Sequence, residues 1–328
     1  MKTRALLAAM LILGCSLAGA SQLHAQGQPY PNRPIKVIVP FPPGGPTDGM
    51  ARIVSDRLGA ILGQSIVVEN RGGGAGGSVG AKTVAAAEPD GYTILITPGG
   101  SLTTGPAVHK NLGYEPLKAF APIARIMTTP QFMCVHPSLP VKTLRELVAY
   151  AKANPGKITY GSQGFGTGTH LLAELLKLEA GINMVHVPYR GTAPMLAAFV
   201  AGEIQMATDP STTVLPHLQS GSLRALAVVT SERSPKMPDV PTSAEAGYPM
   251  LNSPFWLGVV APAGTPAAIV DKLNAAFRES LQVPTARARL DTLGAVIDVS
   301  TPQAFRTMIV DEMAKWTAVA KAANISVD

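Results

Sequence analysis

Cysteine is nearly missing from this sequence. Two occur among 328 residues, Cys15 and Cys134. Cys15 falls in an expected leader, so the mature chain keeps Cys134 alone and forms no internal disulfide. A chain of this length can bury enough core to do without one. Charge is also sparse, at 15% of residues against 46% apolar. That balance excludes disorder and predicts a packed globular protein, with room for two domains at roughly 100–200 residues each. Long hydrophobic runs are absent too. Ala5 to Leu13 is apolar but short, well under the roughly 20 residues that span a bilayer. Preceded by Lys2 and Arg4 and followed by Leu23-His24-Ala25, it reads as a signal peptide over residues 1–25, which implies export to the periplasm. The alternative is lipoprotein processing at Ile12-Leu13-Gly14-Cys15, where Leu13 is bulky for its position. Without Lys2 and Arg4, 25 basic residues face 21 acidic ones. This excess is too mild and too dispersed for a nucleic-acid face. It suits a small anionic ligand.

Several kinds of chemistry lack their residues. The turn Gly44-Gly45-Pro46-Thr47-Asp48 has no lysine for a phosphate loop. The run "GSQGFGTGTH", Gly161 to His170, carries G-x-G-x-G, and no acid follows on the next strand to hold a ribose. Gly76-Gly77-Ser78-Val79-Gly80 matches G-x-S-x-G. A nucleophile elbow sits directly at a strand end, however, and here Asn70 to Gly74 intervenes, so Ser78 reads as a helix start. No two histidines have metal-ligand spacing and Cys134 has no neighbour to join it. No catalytic residue, metal or cofactor is expected.

What is present is alternation. Ile35–Val39, Ser65–Glu69 and Tyr92–Thr97 read as strands, separated by helices at Met50–Leu62 and Val79–Ala87. The grammar repeats at Gln131–Val135, Lys157–Tyr160, Val185–Val187, Ile204–Ala207 and Leu226–Val229. Thr143-Leu144-Arg145-Glu146 is a capping box in front of a helix. The C-terminal part reads as helical, with Thr265-Pro266 and Thr301-Pro302 as starts. Phe305, Met308, Ile309, Met313 and Trp316 line the last stripe. This order predicts an α/β protein of two lobes, each a mostly parallel sheet flanked by helices. Lobe 1 takes residues 26–126 and 250–328, and lobe 2 takes 127–249.

One glycine-rich turn falls in each lobe, between a strand and a helix N-terminus. The first is "VPFPPGGPTD", Val39 to Asp48; the second is Gly161 to His170. Glycines let backbone amides approach an anion, and helix ends favour negative charge. The alternative is that both are ordinary turns. With no lysine or arginine in either, a carboxylate suits them better than a phosphate.

Read as a whole, the residues resemble the Bug-type family of substrate-binding receptors of tripartite tricarboxylate transporters. The likeness runs through "YPNRPIKVIVPFPPGGPTD", "VVENRGGGAGGSVGA", "YGSQGFGTGTHL", "VPYRGTAPML" and "DVPTSAEAGYP". It implies a periplasmic protein of Venus-flytrap type, a monomer that closes on a small carboxylate and serves a membrane permease. It implies a first-lobe wall at Phe41, Pro43, Gly44, Gly45 and Asp48, and a contact near Ser101, where Gly99-Gly100 departs from the more polar family pattern. It implies a carboxylate clamp at Ser162, Gly166, Thr167 and His170, with Gly164 in the same run, and a further contact at Asp209. Asp48 reads equally as a helix cap, and Asp209 as a helix start. A sensory receptor with a signalling partner, or a hydrolase built on Ser78, are the other classes open at this point.

Overall fold

The structure is a computed structural model that describes residues 29–292 and 294–326. The expected leader, with Cys15 and the Ala25 site, lies outside the described residues. No helix among them is long and apolar enough to cross a membrane.

Residues 33–326 form one compact unit containing two sheets. In chain order come β1 (Ile35–Val39), α1 (Pro46–Leu62), β2 (Ile66–Asn70), α2 (Ser78–Ala85) and β3 (Thr93–Thr97). A π-helical turn, Gly100–Thr104, leads into the short α3 (Gly105–Val108) and α4 (Pro116–Ala119). Then follow β4 (Phe120–Thr129), β5 (Gln131–Val135), α5 (Leu144–Ala153), β6 (Thr159–Ser162), α6 (Gly168–Ala180) and β7 (Val185–Pro188). The chain continues with α7 (Thr192–Val200), β8 (Met206–Pro210), α8 (Ser211–Gln219), β9 (Arg224–Val228) and β10 (Phe255–Pro262). It ends with α9 (Ala267–Ser280), α10 (Pro284–Thr292), β11 (Val296–Ile297) and α11 (Pro302–Ala322).

The first sheet has the order β11-β4-β10-β3-β1-β2, and the second β7-β6-β8-β5-β9. Position in the sheet explains composition. Central β10, β5 and β8 are buried at every residue, whereas edge strand β7 exposes Val185 and Pro188. Two expectations need correction. The sheets are mixed rather than mostly parallel: β1 pairs in parallel with β2 and β3, but β10 runs antiparallel to β3 and β4. Likewise β6 pairs in parallel with β7 and β8, while β5 runs antiparallel to β8 and β9. The C-terminal part is also not all helix, because β10 inserts into the middle of the first sheet. Strand β10 re-enters at the end where β4 leaves, with Phe255 opposite Thr129, and so runs antiparallel to it. The chain leaves the first sheet at Pro130, between β4 and β5, and returns between Val229 and Pro254.

Helix α11 ties the two sheets together. Its Phe305 and Ile309 pack with Ile38, Leu95 and Trp256 of the first sheet's core. Further along, Trp316, Val319 and Ala320 pack with Met133, Tyr160 and Leu171 of the second.

The capping box forms with a shift. Thr143 Oγ1 accepts from the Glu146 amide at 3.1 Å, but the Glu146 carboxylate takes the Lys142 amide at 2.6 Å, one residue further back than the motif implies. Thr143→Ala should lower stability by about 1 kcal/mol. Urea unfolding with an unchanged midpoint would refute that role.

Candidate functional site

The loops at the carboxyl ends of β1, β2, β3 and β6 meet between the sheets. Thr104 Oγ1 donates to the Gly166 carbonyl at 2.7 Å. The Gly76 amide donates to the Phe165 carbonyl at 3.2 Å. The loops of the first sheet are themselves in close contact, since a Cβ on Gly76 would lie 2.4 Å from the Gly100 oxygen.

Between these loops lies a cavity of about 40 Å³, room for roughly three water-sized molecules. Phe41, Gly99, Gly100 and Thr104 contribute to its wall from the first sheet's side. Gln163, Thr167, Gly168 and Thr169 contribute from the loop after β6 and the first turn of α6. Gln131 and Ser253, where the chain passes between the sheets, complete it together with Trp256, Glu312 and Trp316.

Helix α6 begins at this cavity without a side-chain cap. Its N-cap residue, Thr167, instead donates its hydroxyl to the Gly164 carbonyl at 2.7 Å and shares a contact of 3.1 Å with Thr169 Oγ1. A helix start leaves its first amides unpaired within the helix and carries partial positive charge. An oxygen anion is the complementary ligand.

The residues behind the loop hold its shape. Gly164 and Gly166 have φ of +129° and +70°, a region that side chains disfavour. Ser162 Oγ lies 2.6 Å from His186 Nε2 and donates to the Gly164 carbonyl. His170 Nδ1 accepts from the Gly166 amide at 3.4 Å. The two imidazoles stack at 4.1 Å, with Tyr160 stacked on His186 at 4.8 Å and the Phe165 ring edge-on to both imidazoles. Burial pushes His170 down to about 4 and His186 down to about 3, so both are neutral at pH 7. A neutral ring is what lets His170 accept from an amide.

Of the twelve residues singled out from the sequence, Phe41 and Thr167 line this cavity. Pro43 and Gly45 line a smaller adjoining one, with Arg190 and Thr192 facing them. Gly164 lines a larger open groove of about 800 Å³. Ser162, Gly166 and His170 make the loop bonds just described. Ser101 is fully buried; its hydroxyl donates to the Gly76 carbonyl at 2.9 Å and accepts from Thr97. Asp48 is used locally. Its carboxylate accepts from the Gly44 amide, Arg52 and Asn70. Burial raises its pKa, but those bonds outweigh burial and hold the carboxyl below its usual range. Asp209 stands opposite Phe132 in the β5–β8 ladder, fully buried. It accepts from Gln163 Nε2 at 2.5 Å and from Thr213 Oγ1, and so positions Gln163 on the cavity wall.

Sequence reasoning marked the Gly161–His170 run without naming Gln163 or Gly168 as contacts within it, and missed Gln131, Ser253 and Glu312. One signal was readable: Glu312 puts a carboxylate into the apolar stripe Phe305, Ile309, Met313, Trp316, at a core-facing position. Ser78, by contrast, opens α2 after a 3-10 turn at Ala75–Gly77, away from any strand end.

The profile of the "Tripartite tricarboxylate transporter family receptor" matches residues 50–325. The chain belongs to this receptor family. Protein BugT of Bordetella pertussis (strain Tohama I) is 37% identical over 293 residues, covering 89% of this chain and 90% of BugT. A solved "periplasmic transporter" shares 41% identity and a TM-score of 0.86, covering 91% of this chain and all of its own. MatC from Rhodopseudomonas palustris, solved with bound malate, shares 35% identity and a TM-score of 0.84, over 88% of this chain and 99% of MatC. Rpa4515 of R. palustris, solved with adipate, shares 37% identity and a TM-score of 0.85, over 90% and 99%. The fold is thus the two-lobed α/β fold of periplasmic binding proteins. Receptors of this family bind a substrate and are not enzymes.

Proposed function

We propose that this chain is an exported solute-binding protein that captures a small carboxylate between two lobes and delivers it to a tripartite transporter in the membrane. The lobes we assign are residues 26–126 with 250–328, and residues 127–249. The observation that carries this reading is the uncapped start of α6, which opens with Thr167, Gly168 and Thr169 on a half-open cavity between the sheets. A helix end contributes about 0.3–1 kcal/mol to an exposed anion and about 2 when partly buried. Micromolar affinity needs about 8 kcal/mol. Hydrogen bonds to the charged group, at about 1.5–3 kcal/mol each, supply most of the remainder. The relatives solved with malate and with adipate support a carboxylate as the ligand class.

A thermal-shift screen tests it. Malate, adipate and a panel of mono-, di- and tricarboxylates are expected to include at least one that raises the unfolding midpoint, because a ligand bound only by the folded form stabilises it. No shift from any carboxylate at millimolar concentration sinks the reading. For delivery, deleting the receptor should abolish cellular uptake of the bound carboxylate, and re-expressing it should restore uptake.

A further inference from the structure

A cavity built only for an anion has no reason to carry buried hydrogen-bond acceptors, yet Gln131 and Glu312 both line this one. Gln131 lines it and is 3% exposed. Its Nε2 donates to the Ser253 carbonyl at 2.7 Å, while its Oε1 is buried without a partner. Glu312 lines the same cavity. Its Oε1 accepts from Trp256 Nε1 at 2.9 Å and its Oε2 from Thr103 Oγ1 at 3.2 Å. Each carboxylate oxygen accepts more than one bond, so both keep capacity for another donor. A buried amide oxygen left unpaired is costly, and a site with such a group rejects ligands that leave it so.

We propose that this cavity selects carboxylates that carry a hydrogen-bond donor, a hydroxyl or an ammonium, and that Gln131 and Glu312 are the residues that read it. The inference rests on the carboxylate reading above. The α6 amides grip one carboxylate whatever lies beyond it. The donor then pairs with the Gln131 oxygen and the Glu312 carboxylate. An unsubstituted alkyl chain satisfies neither acceptor, and a second carboxylate turned toward Glu312 is repelled by it. Hydroxyl and ammonium share the donor. They differ in charge, which Glu312 senses and the neutral Gln131 senses less.

Two matched series test this by calorimetry on the full mature protein: propionate, lactate and alanine, and succinate, malate and aspartate. Within each series only one substituent changes. The hydroxy or amino member of at least one series should bind about tenfold tighter than its unsubstituted parent, or better. Gln131→Met should close that gap from both sides, weakening the donor-bearing ligands and lifting the penalty on the unsubstituted parent. Glu312→Gln, which keeps an acceptor for Trp256, should weaken the amino ligand more than the hydroxy ligand if an ammonium is the donor, and both alike if a hydroxyl is. Equal affinity across both series in the wild-type protein overturns the proposal, and means that water partners Gln131; this arm needs no variant to fold. Absence of binding by all six, and by every other carboxylate screened, overturns the carboxylate reading itself and the selectivity with it.

Discussion

Gly168→Leu should weaken ligand binding by roughly 100-fold and leave the protein folded. Gly168 is the first residue of α6 and lines the cavity. A Cβ built on it meets no heavy atom within 4 Å, and its backbone lies outside the left-handed region. The added side chain therefore has no protein atom to displace near its base. Four carbons projecting into a cavity of about 40 Å³ would occupy the space the ligand needs. Forcing extra methylenes into a filled site costs about 1–3 kcal/mol or more. At about 1.4 kcal/mol per decade, affinity should fall by roughly 100-fold. The unfolding midpoint should hold or rise slightly, because leucine favours helix over glycine. Near-normal affinity by calorimetry would show that the ligand sits elsewhere. A sharp drop in midpoint would show instead that the side chain turns into the packed wall.

Asp209→Asn should make the apo protein more stable at neutral and alkaline pH and change little near pH 4. Asp209 is fully buried, and burial pushes its carboxyl up to about 7, against the bonds from Thr213 and Gln163 that pull it down. The folded state then holds the proton more tightly than the unfolded chain, where a carboxyl titrates near its ordinary 3.8. Between those two values the unfolded chain ionises first as pH rises, so stability is lost over that window and stays lower above pH 7. At about 1.4 kcal/mol per unit, the penalty at pH 8 reaches at most about 4 kcal/mol. Asparagine keeps an oxygen for Gln163 and removes the charge. The two buried imidazoles act in the opposite sense. Their lowered pKa values contribute stability that is present above about 6.5 and is lost as pH falls toward 4. In the wild type the two trends partly cancel. In the variant the Asp209 contribution is gone while those of the histidines and the other shifted carboxyls remain, so from pH 4 to 7 the variant should gain stability relative to the wild type. Urea midpoints across that range decide it, and a variant curve parallel to the wild type would refute the assignment.

Both predictions fall on residues that differ in how far the sequence exposed them. The loop from Gly161 to His170 is legible because glycines between a strand and a helix have few structural uses. Thr167 and Gly168 do line the cavity. Glycine patterns do not say, however, which groups face the ligand and which hold the loop. Ser162 and His170 have the chemistry of ligand contacts, yet they bond to His186 and to the Gly166 amide. Asp48 has the same ambiguity, and Arg52, one helical turn away, takes its carboxylate. Strands β1 and β5 stand out in the sequence as short apolar runs. Strand β4 does not, because Pro122 and Arg125 interrupt its pattern. Strand β10 sits between Pro254 and Pro262, and its apolar residues carry no period that separates strand from helix.

The sequence by itself determined the alternation of strands and helices, the two glycine turns, the lack of catalytic or metal spacing, and the family. All of these are local in the chain or repeated along it. The tertiary structure alone decided that β10 inserts antiparallel into the first sheet, that α11 ties both cores together, and that Gln131, Ser253 and Glu312 meet α6 at one cavity. Those residues come from parts of the chain separated by tens to hundreds of positions. What brings them together is burial of apolar surface on both sheets. That force is nearly non-directional, and no short stretch of sequence encodes where it sets a given polar group.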